Sequence, residues 1–137
     1  MPEIEYVTVA NHAEAQNGLL YLSGAGWTDA NVARMPDGHL QVFSFGIALS
    51  VIIGWNETNQ QFPLRVTVTG EDGGEPLVSV DAQVEQGRPP GIRAGQDLRS
   101  VLAVNCQIQF PQPGGYRVAA VVGGSQRGVS FNVRSPE

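Results

Sequence analysis

The stretch His39 to Trp55, HLQVFSFGIALSVIIGW, decides the fold. From Phe43 onward every odd position is large and apolar: Phe43, Phe45, Ile47, Leu49, Val51, Ile53 and Trp55. The even positions Ser44, Gly46, Ala48, Ser50 and Gly54 are small, with Ile52 the exception. A period of two belongs to a strand and not to a helix. Such a strand drives an apolar ridge into a core and shows a smooth face of small side chains on its other side. It reads as the central strand of a β-sandwich. Strands usually run about 5 to 10 residues, so Gly46 is expected to bend this stretch. A lead-in strand is expected near Leu40 to Phe45 and the main strand from Ile47 to Trp55.

Working outward, the same alternation recurs on both sides. Upstream, residues 4–10 (IEYVTVA) and 19–23 (LLYLS) read as strands joined through Asn17-Gly18, a hairpin turn pair, provided His12 to Gln16 stays extended. Gly24-Ala25-Gly26-Trp27 closes the second of them. Trp27 either plugs the end of the sandwich or stands at a binding surface. Residues 28–38 form a connection, with a single helical turn conceivable at Asp29 to Arg34 and turn chemistry at Met35 to Gly38. Downstream, strands are expected at Leu64 to Thr69, Leu77 to Glu85, Leu98 to Phe110, Arg117 to Val122 and Gly128 to Arg134. Pro89-Pro90 breaks the ladder between the second and third of these. Tyr116, following a Pro-Gly turn at the head of a late strand, is placed like the tyrosine corner of immunoglobulin-like sandwiches. About eight short strands and no long helix predict an all-β fold. The expected form is one domain over 1–137, a two-layer antiparallel β-sandwich of immunoglobulin-like, Greek-key type. A closed barrel is the alternative.

Four segments, in order, resemble a known family: GLLYLSGAGW (Gly18 to Trp27), IALSVIIGWNETNQQFPLRVTV (Ile47 to Val68), GRPPG (Gly87 to Gly91) and PGGYRV (Pro113 to Val118). Together they are similar to small single-domain bacterial proteins known only as a domain of unknown function. The resemblance spans nearly the whole chain. It implies a β-sandwich and supplies no reaction, cofactor or catalytic residue.

The chain has 137 residues, enough for one domain with a real core. Its net charge is −5, and all eight of its basic residues are arginines. An acidic surface repels phosphate backbones and anionic lipid, so neither nucleic acid nor a membrane is an expected partner. The longest apolar run, Phe43 to Trp55, falls short of the roughly 18 to 20 residues of a membrane helix. The first residues lack the basic and apolar regions of a secretory signal, and the one cysteine, Cys106, allows no internal disulfide. These features lead to the expectation of a soluble, cytoplasmic protein.

No catalytic constellation emerges. Cys106 alternates with Val104 and Ile108 and should sit in the core as a small hydrophobe. His12 and Glu14 offer two metal ligands where zinc takes three or four. Glu71, Asp72 and Glu75 lie in one turn without calcium-loop spacing. A phosphate-binding loop needs a lysine the chain lacks. The expectation is a protein that is not an enzyme and uses no cofactor or metal. It is expected to bind a protein partner or itself through a sheet face or end loops, with Ala48 and Ser50 on the small-residue face as contact candidates. That face is equally well a strand packed beneath a covering segment. The alternative function is small-ligand or carbohydrate binding by Trp27 and Trp55 with Asn56, Glu57 and Asn59.

Overall fold

In the computed structural model, which describes residues 1–135, the alternating segments form nine strands. They are β1 (Glu3–Gln16), β2 (Leu19–Ala25), β3 (Asp29–Asn31), β4 (Phe43–Ile53), β5 (Gln61–Gly70), β6 (Val78–Glu85), β7 (Leu98–Ile108), β8 (Gly114–Val122) and β9 (Ser125–Arg134). One sheet has the order β2-β1-β4-β7, the other β3-β9-β8-β5-β6. Strands β1, β4 and β7 stand where an immunoglobulin-type sandwich has A, B and E, and β9, β8, β5 and β6 where it has G, F, C and C′. Every pairing is antiparallel except that of β3, which runs parallel to β9.

The alternation in β4 works as its period requires. Phe45, Ile47, Leu49, Val51 and Ile53 are all at most 1% exposed and meet Leu64, Val66, Val68, Val118 and Phe131 of the opposite sheet in one core. Each such side chain contributes about 1.5–3 kcal/mol over its exposed state. At one end the core is aromatic. Phe43, Phe45, Phe110, Tyr116 and Phe131 stack and tilt against one another, and Tyr116 donates its hydroxyl to the Gln112 carbonyl at 2.6 Å, closing the tyrosine corner.

Several boundaries differ from expectation. Among the described residues there are nine strands, the ninth being β3 where a helical turn was conceivable. Leu40 makes only a single bridge, to Arg34, and the central strand begins at Phe43. It ends at Ile53, since Trp55 to Glu57 wind into a 3₁₀ turn. Most telling, Gly46 is no bend: β4 pairs with β7 without interruption from Phe43↔Ile108 to Ile53↔Leu98.

Gly46 answers to a close approach instead. β1 pairs with β4 over Glu3 to Ala10 and with β2 over Ala10 to Gln16, so it changes neighbours at Ala10. Beyond Ala10 the β1–β2 hairpin leaves the sheet edge and crosses the outer face of β4 toward β7. A Cβ on Gly46 would lie 2.8 Å from the Ala13 amide nitrogen and 2.9 Å from the Ala13 Cβ. Asn105 on β7 locks the crossing: its Oδ1 accepts the Ala13 N–H at 3.1 Å and its Nδ2 donates to the Ala13 carbonyl at 2.7 Å. One side-chain amide thus stands in for a backbone ladder partner.

A second tie lies farther along β1. A bulge between Ile4 and Tyr6 leaves Glu5 as the extra residue over β4. Its carboxylate takes two hydrogen bonds from Arg99 of β7, both 2.8 Å, and one from the Ser50 hydroxyl at 2.9 Å. The Arg99 and Ser50 hydrogen bonds hold the Glu5 carboxyl below its ordinary range.

These contacts set two expectations. Gly46→Ala, which in an ordinary strand would gain propensity, should here destabilise by about 1–3 kcal/mol in urea unfolding; a gain in stability would refute the close approach. Glu5 gives up its proton more readily folded than unfolded, so its contribution is complete above the ordinary carboxylate range and fades as pH falls through and below it. The acid branch of the stability–pH curve should therefore flatten in Glu5→Gln.

Candidate functional site

Each residue singled out from the sequence has a definite place. Trp27 is half-buried and packs edge-on against Phe43, Phe45 and Phe131 at centroid distances of 5.9, 6.0 and 5.4 Å. It plugs one end of the core. An open cleft of about 520 Å³ lies beside it, lined by Asn11, Asp29 and Asn31 among others, while the indole N–H is buried without an acceptor.

Trp55 sits past the other end of β4. Eleven residues of strand at about 3.3 Å each separate the two tryptophans by roughly 35 Å. They do not form one platform. The Arg88 guanidinium covers the Trp55 ring at 3.7 Å and donates to the Trp55 carbonyl at 2.5 Å. The adjoining loop spends its polar groups on itself. Thr58 Oγ1 donates to the Trp55 carbonyl, Gln60 Nε2 to the Asn56 carbonyl, and the Asn59 N–H to the Gln86 carbonyl. Glu57 pairs with the Met1 ammonium and accepts the Gly54 N–H at 2.8 Å. The ammonium first, and then the Gly54 N–H, keeps its carboxyl below the ordinary range.

Ala48 and Ser50 are both 0% exposed. Ala48 lies in mid-sheet between Thr8 and Ala103, and Ser50 under the Glu5–Arg99 pair. The small face of β4 therefore receives the chain's own β1–β2 arm and offers these two side chains to nothing outside.

The remaining chemistry is scattered. Cys106 is half-buried opposite Phe45, and burial pushes its thiol up to about 11. His12 is exposed and pairs with Glu14 at 3.1 Å; His39 pairs with Asp37 at 3.1 Å. Among the described residues no three or more His, Cys, Asp or Glu side chains are grouped to hold a metal ion, and no helix is long and apolar enough to cross a membrane.

What sequence reading missed is an edge. β7 ends its sheet, and among the described residues no backbone hydrogen bond reaches its outer side. Immunoglobulin constant-type sandwiches place strand D there. Here the chain turns from β5 into β6 on the opposite sheet and then crosses to β7, which leaves that place bare. The free edge runs eleven residues, LRSVLAVNCQI, with no proline and one charge, Arg99, which Glu5 already neutralises. Its inward residues Leu102, Val104 and Cys106 stay half-buried, as do Val78, Val80 and Ala82 of β6, so the sandwich gapes between these two edges. The legible signal was the long charge-poor run itself, combined with a C–C′ hairpin that leaves no segment for strand D.

Removing the two tryptophans should separate their roles. Trp27→Ala takes an aromatic plug from the core and should cost about 3 kcal/mol in chemical unfolding. Trp55→Ala loses chiefly the Arg88 contact, about 1 kcal/mol. Equal losses would contradict the placement of these rings.

Residues 5–134, nearly the whole chain, match one protein family. No curated protein matches the chain. By that match the chain belongs to a family of unknown function, DUF6941.

Proposed function

We propose that this chain is a non-catalytic binding module that takes up an extended segment as an added strand along the free edge of β7. The observation that carries the reading is that edge: along an eleven-residue strand the backbone N–H and C=O groups pointing away from β4 are unpaired, beside half-buried Leu102, Val104 and Cys106. Unpaired N–H and C=O groups in a row are a template for another strand. Backbone bonds supply affinity, and side chains alternating over the gap toward β6 supply selectivity. Natural edges are usually blunted by lysine, proline, a bulge or a covering loop. β7 has a single arginine, tied down by Glu5, and an unbroken register with β4.

The covered face of β4 supports an edge over a face as the point of contact, because Ala48 and Ser50 already lie beneath the chain's own elements. A non-catalytic role fits a thiol held protonated by burial and two histidines spent on surface carboxylates. One free cysteine in the sequence suits a reducing compartment, which supports a cytoplasmic location.

The test uses two synthetic peptides of eleven residues, one with the β7 sequence and one of unrelated alternating apolar and polar residues. Amide shifts and slowed hydrogen exchange confined to Leu98–Ile108 are the expected response to at least one of them. No response to either from the chain at monomer mass, or a response elsewhere on the molecule, overturns the reading.

A further inference from the structure

We infer that the strand received at the β7 edge is the β7 of a second copy, paired antiparallel about a two-fold axis; this rests on the edge-binding reading above. Three features favour the second copy over an unrelated segment. The first is the apolar row. A two-fold axis perpendicular to the sheet keeps the inner faces of both copies on one side. In full overlap Leu102 of one copy lies opposite Val104 of the other and Val104 opposite its Leu102, while Cys106 meets Ser100, so the half-buried Leu102–Val104 pairs flank each other across the axis.

The second feature is charge. The chain carries a net −5, so two copies repel across most of their surfaces. The β7 strip is an exception, because its only charge is Arg99 and Glu5 neutralises it. Full overlap of the two strands sets Arg99 opposite Gln107 and Ala103 opposite its own copy. No like charges face each other along the edge, and the residue at the axis is small.

The third is the β1–β2 arm. It crosses β4 toward β7, is pinned there by Asn105, and its second strand also approaches β7. Beyond Ala13 it displays Leu19 at 58% and Tyr21 at 53% exposure. Pairing at one strand edge is a narrow interface, whereas a stable one buries about 1,600 Å² in total. The two-fold axis puts the arms of both copies on the same outer side of the joined sheet, where contact between them would enlarge the interface and cover these exposed side chains.

Light scattering on the eluting full chain should give twice its 14.6 kDa mass. Ala103→Lys sets two ammonium groups face to face at the axis and should return the chain to monomer mass with its circular dichroism unchanged. If that variant unfolds, a second decides: Ala103→Cys in a Cys106→Ser background should form a disulfide-linked dimer under mild oxidation. Monomer mass for the unaltered chain overturns the inference. A dimer that survives Ala103→Lys and gives no cross-link in the Ala103→Cys variant overturns it equally, since another surface then holds the copies together. Peptide uptake on β7 without dimers would remove the second copy and leave the edge-binding reading; absence of both would remove both.

Discussion

The structure turns on one crossing, where the backbone of β1 passes over Gly46 within van der Waals reach. A strand cannot lie this close on top of another unless the lower one offers no side chain at the contact. It also cannot leave its own ladder without a partner for the freed N–H and C=O groups. Gly46 meets the first condition and the Asn105 amide the second. With both met, β1 serves two neighbours in succession, β4 and then β2, and the hairpin arm covers the outer face of the central strand. Ser50 and Glu5, bridged to Arg99, repeat the device farther along the same strands with charge in place of an amide.

The same arrangement explains why β7 stays open. Arm and bridge both anchor on β7, at Asn105 and Arg99, but they do so from the outer face of the sheet. Its edge, with one row of backbone groups, is untouched. Across the gap β6 presents the other free edge, and the inward residues of both strands are only half-buried. The core is thus closed tightly at its aromatic end, by Trp27 and the tyrosine corner, and loosely along one side. A protein interior left ajar along a charge-poor strand is costly in isolation, which is the physical ground for reading that side as an interface.

The alternation in β4, β5 and β8 was readable because a period of two survives any tertiary context: a one-residue slip would turn every apolar side chain outward. Tyr116 was readable for a local reason, since its hydroxyl reaches a carbonyl only four residues upstream. Gly46 was misread as a bend because a glycine within a strand has two explanations, conformational freedom and close approach, and the second depends on a segment more than thirty positions away in sequence. The tryptophans were misjudged as neighbours for a similar reason. Both flank glycines at strand ends, yet β4 holds them at opposite ends of the sandwich.

The sequence by itself determined the all-β class, most of the strands, the inward side of each and the acidic surface, because these follow from residue type and near-neighbour spacing. The tertiary structure alone decided which faces and edges are covered. Ala48 and Ser50 look exposed in a one-dimensional pattern and are buried by residues forty or more positions away. β7 looks like any interior strand and proves to be an edge. Coverage is a property of chain topology, and no local pattern of side chains encodes which strand will find no neighbour.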